Sequence, residues 1–138
     1  MATLDAHHVG ITVEDLDRCV DFYRETFEFE VLDRFEVAGE AFERVTDTEA
    51  AADFVHLDAG GVRLELVRYD PPGAAPASDD LQDAGTTHLA VAVDDAGAFV
   101  ADLPPEVETV SDPQTTASGT TVCFLRDPEG NLVELIET

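Results

Sequence analysis

Two histidines and two glutamates recur at matched places in this chain, and together they describe a metal site. His8 lies in HHVGITVEDLDRCVDFY and His88 in THLAVAVDDAGAFVADL, and the residues after each follow one plan. Glu65 in GVRLELV and Glu134 in GNLVELI repeat alongside. Two carboxylates facing one cavity repel each other, and one would ordinarily take up a proton. A divalent cation removes that conflict and gives the two imidazoles a task. Nitrogen and carboxylate oxygen donors suit zinc, nickel, cobalt, iron or manganese, with bonds of ~2.0–2.2 Å expected for zinc.

The elements that must position these residues form an internal repeat. The first copy runs from about Leu4 to Tyr69 and the second from about Thr86 to Thr138. In His8–Val13 the apolar Val9, Ile11 and Val13 alternate with His8, Gly10 and Thr12; in His88–Val93, Leu89, Val91 and Val93 alternate with His88, Ala90 and Ala92. Each strand therefore has a branched face suited to packing under a helix and an opposite face of one His followed by small residues, which leaves space above it. This pattern puts His7 on the other face from His8. Asp15 or Asp17 can cap a helix reaching about Phe27, and Asp94 or Asp95 one reaching about Leu103, where Pro104 and Pro105 stop it. Further strands are expected around Glu30–Phe35, Phe42–Thr46, Phe54–Leu57, Val62–Tyr69, Glu106–Val110, Thr120–Leu125 and Asn131–Glu137.

Between the copies, Asp70–Gly85 (DPPGAAPASDDLQDAG) has no period and several breakers, and it reads as a linker. Turn chemistry aligns the hairpins residue for residue. Asp58-Ala59-Gly60-Gly61 matches Asp127-Pro128-Glu129-Gly130, with Gly61 and Gly130 expected in the left-handed position. The same count from each Gly reaches Glu65 and Glu134, and it pairs His56 with Leu125 rather than with a ligand position, so His56 reads as a structural residue and a secondary candidate for the site.

At 138 residues the chain has the length of a single domain, residues 1–138. Its 31 acidic and 7 basic residues leave a net charge of −24, and every base is Arg. With 44% apolar residues in regular patterns, a folded domain coated with acids is expected rather than disorder. Such a surface is best tolerated in concentrated salt, where the Debye length falls to ~3 Å, and the composition resembles that of halophilic proteins. Nucleic acid and membrane are not expected partners, since phosphate binding needs clustered bases. With no export signal or spanning run in view, a cytoplasmic location is expected. Cys19 and Cys123 read as buried thiols.

HHVGITVEDLDRCVDFY and FLRDPEGNLVELIE resemble the opening strand–helix and the closing hairpin of the vicinal oxygen chelate superfamily. That superfamily includes glyoxalase I, extradiol dioxygenases, methylmalonyl-CoA epimerase and antibiotic-resistance proteins. Weaker matches around Glu65 and His88 extend the resemblance over nearly the whole chain. It implies an α+β fold, two βαβββ modules forming a cupped, partly closed mixed β-sheet with flanking helices. It also implies a homodimer, with a site drawn from one subunit or from both. The His8, Glu65, His88, Glu134 set is most similar to glyoxalase I. The resemblance thus implies a metal-dependent lyase/isomerase, like lactoylglutathione lyase, acting on the adduct of a 2-oxoaldehyde and a small thiol through an enediolate. By position Glu134 matches the base that moves the proton, and Glu65 its partner across the metal.

Arg63, two residues from Glu65, is expected to face the same channel and hold an anionic substrate group; Arg34, Arg44 and Arg126 are looser candidates. An extradiol dioxygenase would need iron on His8, His88 and Glu134, with open positions that Glu65 would crowd. An epimerase of acyl thioesters would need basic contacts to a nucleotide tail. A binding protein of the resistance type would retain the cup and perform no chemistry.

Overall fold

Asp15 begins the first helix: its side chain accepts the backbone N–H of Arg18, and its carbonyl that of Cys19. Asp95 does the same at the second copy, accepting from Ala98. In the computed structural model the described residues are 3–75 and 80–137, so positions 76–79 of the expected linker lie outside them. The chain forms two compact units, Met1–Ala75 and Pro76–Thr138. Among the described residues no helix is long and apolar enough to cross a membrane.

The first unit contains β1 (Val9–Thr12), α1 (Leu16–Phe27), β2 (Glu30–Val37), α2 (Glu40–Thr46), β3 (Ala51–Asp58) and β4 (Arg63–Asp70). Its sheet has the order β1-β4-β3-β2, with β1 parallel to β4 and the other pairs antiparallel. The second contains β5 (His88–Ala92), α3 (Ala96–Ala101), β6 (Glu108–Thr109), β7 (Gln114–Thr115), β8 (Thr121–Arg126) and β9 (Leu132–Glu137). There β5 runs parallel to β9, β9 pairs with β8, and the short β6 and β7 both pair with β8. Both units are thus mixed sheets with the βαβββ connectivity that the repeat and the resemblance implied, in an α+β fold.

Alternation divides each sheet into a core face and a site face. In the first unit Cys19, Val20 and Tyr23 of α1 are buried, and so are Val55, Leu57, Leu64 and Leu66 of the strands. The helix packs on β4. In the second unit Cys123, Leu125, Val133 and Leu135 take the place of the strand core, and Glu137 on that face accepts the N–H of Ala96 at the start of α3. The branched face of β1 is covered only toward its end: Val9 is half exposed, Ile11 intermediate and Val13 buried. Cys19 and Cys123 are both free and buried. Burial, and then the charge of Asp112, push the Cys123 thiol up from its ordinary value. Held neutral, it donates to the carbonyl of Ser111 and is a packing residue rather than a nucleophile.

One expected strand is a helix. Phe42–Thr46 lies in α2, whose apolar Phe42 and Val45 are three apart, and the Glu40–Arg44 pair at 3.0 Å spans one turn. Its start follows Gly39 at φ 107° and its end is Asp47 in the left-handed region. On the site face Phe42 packs against the buried Ala52, Phe54 and Val67, together with Val37 and Tyr69. Two apolar residues spaced by three suit a helix rather than an alternating strand, and Phe42 packs that helix against the sheet.

Candidate metal centre

Strand register places the two His–Glu pairs identically in the two sheets. Glu65 lies beside Gly10 across β4 and β1, and Glu134 beside Ala90 across β9 and β5. Each His stands two residues earlier on the same face. His8 Nε2 is 3.2 Å from Glu65 Oε2, and His88 Nε2 is 3.4 Å from Glu134 Oε1. The small residue between each pair keeps the carboxylate accessible from above. A Cβ at Gly10 would stand 3.4 Å from Glu65 Oε1. So the structure brings His8 to Glu65 in the first unit and His88 to Glu134 in the second.

The first unit adds His56, which the repeat matches with Leu125 and leaves as a secondary candidate for the site. His56 pairs across β3 and β4 with Glu65, and its Nε2 lies 2.8 Å from Glu65 Oε2. Its side chain is 7% exposed, against 35% for that of His8. The expected pairing of His56 with Leu125 fails, because the residue opposite Glu134 is Phe124. The cause is the turns. Gly60, not Gly61, takes positive φ in the first hairpin, whereas Gly130 does so in the second. Asp58 pairs with Arg63, and Arg126 with Leu132, so the second hairpin is longer by one residue and its β8 partners slip by one. The signal available in the sequence was the Gly60-Gly61 pair, either member of which can occupy the left-handed corner.

His7 also differs from expectation. It precedes β1 and escapes the strand's alternation; its Nδ1 lies 2.7 Å from His8 Nδ1, and its ring 6.3 Å from that of His56. That contact occupies the far nitrogen of His8 and leaves Nε2 facing Glu65, the support that ligating imidazoles commonly have.

Among the arginines, Arg63 follows the expected face. It is exposed, and its guanidinium lies 3.5 Å from His56 Nδ1. Arg34 meets Asp17 at 3.5 Å, Arg44 meets Glu40, and Arg126 donates to the carbonyl of Gly130, which gives each of the looser candidates a structural contact. A groove of about 670 Å³ beside the start of α1 is lined by Asp17, Arg34, Asp53 and Arg68 among others and contains no His.

Do these donors fit a divalent ion? Among the described residues, His8, His56 and Glu65 bring one ligand atom each to within 4.8 Å of one another. The 3.2 Å between His8 Nε2 and Glu65 Oε2 matches the spacing of about 3.0–3.4 Å between neighbouring ligands bound at ~2.1 Å. The donor chemistry and spacing of His8 and Glu65 fit such an ion, with His56 Nε2 also within reach.

Known proteins share this fold. The sequence matches the Glyoxalase/Bleomycin resistance protein/Dioxygenase superfamily over residues 5–135, and the chain belongs to that family. It is similar to the 2-epi-5-epi-valiolone epimerase of an Actinomyces species, 33% identical over 94% of this chain and 77% of the relative. Among solved structures, a glyoxalase family protein from Bacillus cereus superposes with a TM-score of 0.85, at 26% identity over 99% of this chain and 95% of the other. The trypanothione-dependent glyoxalase I of Leishmania major gives a TM-score of 0.68 at 26% identity, covering 98% and 87% of the two chains.

Proposed function

We propose that this protein is a metal-dependent enzyme that moves a proton at a carbon next to a carbonyl, with the glyoxalase I type of reaction as the first reading. Its substrate is then the adduct of a 2-oxoaldehyde with a small thiol, isomerised through an enediolate. The observation that supports this most directly is the identical registration of His8–Glu65 and His88–Glu134, each beside a small residue. We assign His8, Glu65, His88 and Glu134 as the ligands of one divalent ion (zinc, nickel, cobalt, iron or manganese). In this assignment the two pairs meet either within one chain or across a homodimer. The bound cation supplies Lewis-acid stabilisation of the negative charge that develops on the substrate's adjacent oxygens.

The remaining work belongs to side chains. Glu134 takes the proton from carbon and returns it to the neighbouring carbon, while Glu65 holds its place. Arg63, exposed on the same face as Glu65, holds an anionic group of the substrate. The apolar floor of Phe54 and Val67, bordered by Phe35 and covered by Phe42, suits an uncharged substituent. The fourth protein ligand in this assignment leaves less room for catechol and oxygen together, which disfavours the dioxygenase.

The 33% identical epimerase favours one second reading, in which the proton returns to the carbon it left but from the other face. The named substrate of that relative is not an acyl thioester, so the shortage of basic residues does not count against this reading.

The test is elemental analysis of protein purified in concentrated salt, with turnover measured in deuterated water for the parent and for Glu134→Gln. We expect about one divalent transition ion per site in the parent, with solvent deuterium entering the carbon next to the carbonyl. Glu134→Gln should lose turnover by about 10²–10⁴-fold with its circular dichroism unchanged. A thioester product identifies the first reading and an inverted centre in a ketone the second. Full activity in Glu134→Gln removes Glu134 as the base.

A further inference from the structure

His56 stands outside the four-ligand set, and its contacts give it a separate task. Resting on the metal-dependent reading above, we propose that His56 is a positioning residue: its Nε2–H holds Glu65 Oε2, so Glu65 is tied down while Glu134 is left free to swing.

The location of the proton comes first. A guanidinium can only donate, and Arg63 Nη1 is 3.5 Å from His56 Nδ1, so Nδ1 is the accepting nitrogen. In a neutral imidazole the hydrogen is then on Nε2, which donates to Glu65 Oε2 at 2.8 Å. A nitrogen that carries a hydrogen has no lone pair for a metal. The same contact therefore takes His56 out of the ligand set even though its Nε2 lies within reach.

Packing comes second. His56 is a buried residue on a central strand, and the Phe35 ring stands edge-on to it with centroids 5.2 Å apart. The ring is therefore held in place before any substrate or metal arrives.

The third observation is the asymmetry between the units. The residue in register with Glu134 is Phe124, whose ring stands T-shaped to His88 at 5.1 Å. Phenylalanine has no hydrogen to donate. Glu134 thus stands across the strand from an aromatic residue where Glu65 stands across from a donor, and its contact with His88 is the longer one at 3.4 Å. One residue in the register separates a fixed carboxylate from a movable one.

The test combines ¹⁵N NMR of the imidazoles in metal-free protein with cobalt titrations and kinetics of the parent, His56→Phe, His56→Gln and Phe124→His. The His56 signals should be those of the Nε2–H tautomer. Cobalt affinity should fall by about 10–100-fold in His56→Phe, the usual effect of losing a partner behind a ligand, and return in large part in His56→Gln, whose amide can donate. Phe124→His places the same donor opposite Glu134 and should lower kcat with KM and cobalt affinity close to the parent. A His56 Nδ1–H tautomer overturns the proposal, as does parental cobalt affinity in a folded His56→Phe. Should the parent bind no cobalt, the metal-dependent reading is what fails, and the tautomer alone decides the role of His56.

Discussion

Around Glu65 the spacing of single atoms decides what the site can do. The carboxylate stands beside Gly10, with His8 and His56 both directed at Oε2. An alanine at position 10 would make ordinary contact with Oε1, since its Cβ falls at 3.4 Å. The extra methyls of a valine would meet the carboxylate and turn it. Gly10→Ala should therefore keep metal and activity close to parental levels, whereas Gly10→Val should lose metal without unfolding. Parallel metal titrations of the two variants check this; equal affinity in both would show that the space above Gly10 is not needed. That His8, Glu65, His88 and Glu134 each stand on the face opposite the core set was readable from the sequence because alternation in a strand is a local property. The contribution of His56 was not, because a cross-strand neighbour depends on where the intervening turn places its extra residue.

At the level of elements, the two hairpins carry the acids and use different turn chemistry. Asp127 is buried, and its carboxylate accepts the backbone N–H groups of Glu129 and Asn131 together with the Asn131 side-chain amide. Asp58 is exposed and accepts the Gly60 N–H. Charge-assisted bonds to a buried carboxylate are the stronger kind. Asp127→Ala should therefore destabilise the protein by about 2–3 kcal/mol and Asp58→Ala by about 1 kcal/mol or less. Urea unfolding of the two variants measures the difference, and equal losses would show that Asp127 is not what holds β8 and β9 in register. The turn at Asp127-Pro128-Glu129-Gly130 was legible because a single Gly could take its left-handed corner. At Gly60-Gly61 two glycines competed, and the resulting one-residue error moved His56 off the site. The helix at Glu40–Thr46 was missed for a related reason: seven residues are too few for a helical period to stand out from an alternating one, and Phe42 settles the matter by packing on Phe54 and Val67.

For the whole molecule, the net charge of −24 is the dominant electrostatic fact. Like charges on a folded surface repel more strongly than on the expanded chain, and salt screens that repulsion as the Debye length falls from ~10 Å at 0.1 M to ~3 Å at 1 M. The melting temperature should rise by roughly 3–7 °C from low to molar potassium chloride, which corresponds to about 1–2 kcal/mol of relieved repulsion. Calorimetry across that range checks it. A flat or falling profile would show that mutual repulsion of the acids does not weaken the folded chain; ion pairs such as Asp17–Arg34, Glu40–Arg44 and Asp53–Arg68 engage only a few of them.

The repeat, the helix starts near Asp15 and Asp95 and the matched recurrence of two His and two Glu were legible in the sequence alone, because periodicity, capping and strand alternation act over a few residues. Tertiary structure decided that His56 and not a core leucine's counterpart faces Glu65, that Phe124 faces Glu134, and that His7 braces His8. Those pairings join segments through turns and strand register, where one added residue exchanges every partner. At the two acids, the halves differ in which side chain stands across the strand.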